Sequence, residues 1–336
     1  MSPRVRAFIL GSRRSGSNLL RVLLNHSPHL SAPHPPHILH AFTPLLPGYG
    51  DLTRDEAWNR LVADVVEHAN LNPVALLEDN SRLDPALVAA RCAGRGLIRL
   101  QDAIYGEIME RAGKRAWVCK SNDNMHYLEE IEAGFADSAR YIYLYRDGRD
   151  VALSFRKAPI GPKHPFQCAL EWAREQRRML DWERQVGARL KRVRYEDLIA
   201  RPEAVCRDLC EFLGVEFDPA MLEAHASGEA ARTAEKSVLW ANLTRPVQSD
   251  NSGKWRRDSV ENVSQFERGA ADALDALGYA LACVPLAPPD AEEVARIQSE
   301  DQRLREAMLA SLGADGGTRG EQAAFLARKR EERATA

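Results

Sequence analysis

The chain has 336 residues, of which 45% are hydrophobic and 28% charged, with a formal net charge of −2. This is the balance of an ordinary globular protein, long enough for one large α/β domain with additions or for two small domains. The near-neutral charge excludes a general nucleic-acid binder, which would be strongly basic, but it allows a local basic pocket.

The first predicted element is a short apolar strand over residues 7–10. It is too short for the apolar stretch of a signal peptide, and no apolar run elsewhere approaches a membrane span. The six cysteines form no C-x-x-C pair and no zinc spacing, and read as reduced thiols. A cytoplasmic protein without a metal site is expected. A turn containing Gly11 and Gly16 follows the strand, and then Leu19, Leu20, Val22, Leu23 and Leu24 at helical spacing. Residues 31–50 are rich in proline and histidine, which predicts a loop lying over a site, with neither regular helix nor central strand. Helical patterns occupy roughly 53–70, 84–92 and 97–112, and 117–120 reads as a second buried strand.

Residues 141–145 are β-prone throughout and give the clearest strand. They end at Arg146-Asp-Gly-Arg-Asp150, with a helix over 151–155 and a longer one over 166–187, where Phe166, Trp172 and Trp182 read as core or pocket wall. Residues 193–195 suggest a short strand, and Pro202 opens a helix to about 213. Residues 227–258 read as irregular. Residues 284–289 form a linker to a charged helical tail broken at 313–320, whose run from Arg328 to Arg333 reads as a solvated or frayed face. No internal repeat is present. The alternation of strands and helices predicts a mostly parallel sheet covered on both faces.

Two motifs carry chemistry. Gly11-Ser-Arg-Arg-Ser-Gly16-Ser17-Asn18 has the glycine spacing of a Walker loop, between a strand and a helix whose N-terminus faces phosphate oxygens. Where a triphosphate enzyme has Lys then Ser or Thr, Ser17 and Asn18 stand instead, and Arg13 and Arg14 put positive charge inside the loop. A donor without a γ-phosphate or an obligatory metal fits those changes; the bland alternative is a tight turn alone. Arg146-x-x-x-Asp150-x-x-x-Ser154 begins at a strand's carboxyl end, where open α/β sheets bind ligands. Its arginine fork and hydroxyl suit a second phosphate, the alternative being an Arg146–Asp150 ion pair.

Together these motifs resemble the sulfotransferase family that uses 3′-phosphoadenosine-5′-phosphosulfate. Arg14-Ser-Gly-Ser-Asn-Leu-Leu20 is similar to its 5′-phosphosulfate loop, and Arg146, Asp150 and Ser154 to its 3′-phosphate motif. Val118-Cys-Lys120-Ser121, Arg194-Tyr195-Glu196-Asp197-Leu198 and Ser252-Gly-Lys254-Trp255-Arg256 are weaker similarities in the family's order. The style of the motifs is that of bacterial and tyrosylprotein-sulfating members.

The resemblance implies a P-loop-like three-layer α/β domain over 1–283, with a linker and charged helical C-terminal extension over 284–336. It implies that Arg13, Arg14, Ser15, Gly16, Ser17, Asn18, Arg146, Ser154, Tyr195, Lys254, Trp255 and Arg256 bind the donor, with adenosine 3′,5′-bisphosphate as product. Arg14 and Lys120 become the catalytic cations, and a loop histidine the base. His34 falls on the position of the base in tyrosine-sulfating relatives, counted from Pro28, and His37 where other bacterial members carry a histidine. The acceptor is a hydroxyl or amine on a small molecule, lipid, sugar or peptide. No nucleic-acid partner or membrane span is expected, and a homodimer stays open. The rival readings are a kinase on the same fold, which needs Mg²⁺, and a non-catalytic nucleotide-binding protein.

Overall fold

The computed structural model describes residues 5–236, 238–284, 286–311 and 320–334. Five strands, β1 (Arg6–Leu10), β2 (Leu30–Ser31), β3 (Ala116–Cys119), β4 (Ala139–Tyr145) and β5 (Leu190–Arg194), form one parallel sheet in the order β2-β3-β1-β4-β5. The central β1 pairs Phe8 with Cys119 on one side and Tyr141 on the other. Alternate residues of a strand point to opposite faces, and here both faces are buried. Phe8, Leu10, Trp117, Cys119, Tyr141 and Tyr143 enter one core. Ala7, Ile9, Val118, Ile142 and Leu144 enter the other. Burial on both sides is why these strands read as continuous apolar runs rather than alternating ones.

The helices are α1 (Ser17–Asn25), α2 (Ile38–Phe42), α3 (Asp55–Asn70), α4 (Pro85–Arg91), α5 (Leu97–Arg111), α6 (Leu128–Phe135), α7 (Gly148–Arg156), α8 (Pro165–Val186), α9 (Tyr195–Ala200), α10 (Pro202–Phe212), α11 (Gly228–Glu235), α12 (Val260–Ala276), α13 (Ala291–Ser311) and α14 (Gly320–Ala334). Residues of α1, α9 and α10 cover one face of the sheet. Residues of α2, α3, α5, α6, α8, α12 and α14 cover the other. The fold is a P-loop-like three-layer α/β arrangement with a helical C-terminal part. No helix among the described residues is long and apolar enough to cross a membrane.

The structure departs from the sequence expectations in four places. Residues 31–50 contain the end of edge strand β2, the single-turn α2 and a 3-10 turn over Thr43–Tyr49. Ile38, Leu39, Ala41 and Phe42 are buried; Pro33, Pro35 and Pro36 lie between β2 and α2 and Pro44 at the start of the 3-10 turn, where a missing N–H costs little, while Pro47 sits inside that turn. Tyr195 opens α9 instead of ending a strand. The stretch read as irregular includes α11, capped by the Ser227 hydroxyl accepting from the Ala230 N–H at 3.1 Å. In the tail, Lys329 and Arg333 each reach Asp64 at 3.1 Å, so part of the run expected to be solvated is docked.

Candidate active site

The loop of residues 11–18 is wedged against its neighbours at both glycines. Gly11 has φ 143°, and a Cβ there would lie 2.0 Å from the carbonyl oxygen of Leu144. Gly16 has φ 90°, and its Cβ would lie 2.4 Å from the Tyr195 ring. Only glycine fits either position. Asn122 fastens the loop from the side: its amide donates to Gly11 O at 2.6 Å and accepts from Ser17 Oγ at 3.3 Å. The loop feeds directly into α1, whose first turn carries no acidic residue, so its N-terminal dipole is left for an anion.

The two motifs of the sequence meet here. Arg14 Nε donates to Ser154 Oγ at 2.9 Å. Arg146 donates to the carbonyls of Arg14 at 3.1 Å and Asn251 at 2.8 Å, and its guanidinium lies 4.4 Å from the centre of the Tyr195 ring. Burial, and then the positive charge of Arg146, holds the Arg14 guanidinium below its ordinary range. Two cations pressed together beneath a helix N-terminus form a site whose electrostatics an anion would relieve. The Arg146–Asp150 pair exists at 3.9 Å, but Asp150 spends its better hydrogen bonds elsewhere.

Those bonds hold the late basic loop. Asp150 Oδ2 accepts from the Gly253 N–H at 2.6 Å and Oδ1 from the Trp255 N–H at 3.0 Å. Asn251 ties the same loop to the site, donating to Tyr195 OH at 2.7 Å and accepting from Lys254 Nζ at 2.7 Å. The Trp255 ring is buried beneath the Arg149 guanidinium at 3.6 Å, and Arg149 is itself paired with Asp147 and Glu267.

On the other side, Lys120 follows the last residue of β3, and the next residue, Ser121, meets His37 Nδ1 through its hydroxyl at 2.7 Å. His37 Nδ1 also lies 3.6 Å from Asp123, whose other oxygen accepts from Arg13 at 2.6 Å. Both Arg14 and His37 adopt left-handed backbones, φ 71° and 55°. Strain of this kind persists where surrounding structure over-determines it, and it gathers at functional sites. His34 is placed differently. It is 2% exposed, bonded to Asn72 at 3.3 Å, with its ring centre 5.1 Å from that of Trp240.

A single cavity of about 1520 Å³ joins these groups. Of the residues singled out in the sequence, Arg13, Arg14, Gly16, Ser17, Asn18, His37, Lys120, Arg146, Ser154, Tyr195 and Lys254 line it. Ser15, His34 and Trp255 are buried outside that lining, and Arg256 is exposed with its guanidinium 4.9 Å from the Trp255 ring centre. Asn122, Asn251, Arg257 and residues of α14 also line it. Asn251 lies one residue before the quoted basic segment, so that segment was the available signal for it; nothing local marks α14. No group of three or more metal-ligating side chains occurs among the described residues.

The pattern of a family described as the sulfotransferase family matches residues 6–219. A protein-tyrosine sulfotransferase A of Caenorhabditis elegans is 24% identical over 280 residues, covering 81% of this chain and 66% of its own length. Among solved structures, the sulfotransferase domain of the Synechococcus PCC 7002 olefin synthase is 25% identical, with a TM-score of 0.55 over 84% of this chain and 98% of that one. A sulfotransferase domain from the curacin biosynthetic pathway shares the fold, with 23% identity and a TM-score of 0.54 over 84% of this chain and all of its own. The phosphate loop, the strand-end arginine motif and the parallel sheet that unites them all lie within the span the family pattern matches, and the chain belongs to the sulfotransferase family as an enzyme of that type.

Proposed function

We propose that the enzyme transfers a sulfonyl group from 3′-phosphoadenosine-5′-phosphosulfate to an acceptor hydroxyl or amine, without a metal ion. The observation that carries this reading is the packing of Arg14, Arg146 and Ser154 at the mouth of α1, in a loop that has Ser17 and Asn18 where a triphosphate enzyme needs Lys and Ser or Thr. Arg146 and Ser154 suit the 3′-phosphate, with Tyr195 beside them. Backbone N–H groups of residues 16–18 and the Arg14 guanidinium suit the 5′-phosphosulfate.

In the transfer, the acceptor oxygen bonds to sulfur as the sulfur–oxygen bond to the 5′-phosphate breaks, and the phosphate keeps the bonding pair. Arg14 and Lys120 offset the charge that grows on the leaving oxygen and the transferring group. Fixed cations suffice because a sulfonyl group carries less charge than a phosphoryl group. The acceptor's proton passes to His37, which shares the cavity lining with Lys120, whereas His34 stands behind that lining. A phenolic hydroxyl is the first acceptor to test, since the worm relative is named for action on protein tyrosine; a lipid, sugar or small alcohol follows.

Single-turnover transfer with labelled donor tests the assignment. His37→Ala and Lys120→Ala should each lower kcat by about 10²–10⁴-fold, with little change in affinity for adenosine 3′,5′-bisphosphate. His34→Ala should act on stability through its Asn72 and Trp240 contacts and leave kcat nearly intact. A kcat loss in His34→Ala with none in His37→Ala would move the base to His34.

A further inference from the structure

The C-terminal helix α14 lies outside the span of the family pattern, residues 6–219, yet it lines the active-site cavity. Its inward residues recur at three- and four-residue spacing, as one face of a helix requires. Gln322, 2% exposed, donates to the His68 carbonyl at 2.9 Å. Phe325 is 6% exposed, its ring centre 6.4 Å from that of His68. Lys329 and Arg333 both pair with Asp64, which also accepts from Tyr49 OH at 2.7 Å. A buried amide, a buried aromatic ring and a shared carboxylate make this a built contact.

The contact leads to the proposed base. His68 is buried, and its Nε2 donates to the Pro36 carbonyl at 2.7 Å; His37 follows in its left-handed conformation. On the cavity side, Gln322, Ala323 and Leu326 share the lining with Pro36, His37 and Ala41. None of the α14 residues there carries a charge, in contrast to the arginines around the phosphate loop.

We propose that α14 is the acceptor-side wall of the active site, keeping water from the transferring sulfonyl group and presenting Ala323 and Leu326 to the uncharged body of the acceptor. This rests on the sulfonyl-transfer reading. Closing a site against water suppresses hydrolysis of a reactive donor. With the wall opened, a water oxygen bonds to sulfur, the bond to the 5′-phosphate breaks with its electron pair on the phosphate, and the water's protons pass to solvent. The products are sulfate and adenosine 3′,5′-bisphosphate.

The test measures release of adenosine 3′,5′-bisphosphate from labelled donor with water as the only acceptor. The full chain is compared with a chain ending at Ser311 and with the double variant Gln322→Ala, Leu326→Ala, which keeps Phe325 and the Asp64 pairs. Both variants should break down the donor at least about tenfold faster, with calorimetric affinity for adenosine 3′,5′-bisphosphate within about twofold of the full chain. Breakdown at the full chain's rate in the double variant overturns the proposal, whatever the truncated chain does. Failure of the full chain itself to bind adenosine 3′,5′-bisphosphate overturns the donor reading instead.

Discussion

Arg14 shows how little room the phosphate loop leaves. Its carbonyl accepts from Arg146, its Nε donates to Ser154, and its backbone is left-handed, so each contact fixes the others. Gly16 is the tightest point, with the Tyr195 ring where a Cβ would be. Gly16→Ala should cost about 1–3 kcal/mol of stability, through a strained φ and a displaced ring. Because the displaced ring supports Arg146, affinity for adenosine 3′,5′-bisphosphate should fall at least about tenfold. Denaturant titration and calorimetry check both, and an unchanged affinity would show that Tyr195 does not shape the donor site. The residue types that would suit an anion were readable in the sequence, because Gly, Arg and Ser at fixed spacing carry their chemistry with them. Which histidine faces the cavity was not: His34 and His37 are three residues apart in one segment, and only the buried turns on either side decide which points inward.

The loop of residues 251–257 is held to α7 by one carboxylate and by the Arg149 guanidinium on the Trp255 ring. Asp150 accepts two backbone N–H groups of that loop while lying beside Arg146. Asp150→Asn leaves one acceptor oxygen for two donors, at a cost of about 1–3 kcal/mol. Stopped-flow displacement should show faster release of adenosine 3′,5′-bisphosphate, with the loop loosened over the site; an unchanged off-rate would mean that the loop does not cover the ligand. The sequence showed the central strands β1, β3 and β4 well, since strands of a doubly covered parallel sheet are apolar runs, but it missed the two-residue edge strand β2. It showed short elements poorly. The single turn of α2 lies in a stretch punctuated by prolines, and α11 is only eight residues long, so tertiary burial rather than periodicity sets both. The late loop was visible as a cluster of basic residues, but Asp150's hold on it belongs to the fold.

Across the enzyme, the sheet sets the two motifs at adjacent strand ends, and the cavity opens where β1, β3 and β4 deliver their loops. The C-terminal helices return to this framework: α13 through Asp301, which accepts from the Lys163 and His164 N–H groups, and α14 along the cavity itself. The sequence marked that region as a charged helical tail but not its docking, because a helix's docked face is decided by the surface it meets. The account as a whole stands on the donor. A ligand bound only by the folded state stabilises it by about 2.7 kcal/mol at a concentration 100 times Kd, a rise of several degrees in Tm. Thermal unfolding with adenosine 3′,5′-bisphosphate should show that rise without any metal, and ATP with Mg²⁺ should show little. Stabilisation by ATP with Mg²⁺ alone would contradict the sulfonyl-transfer reading and return the site to a kinase.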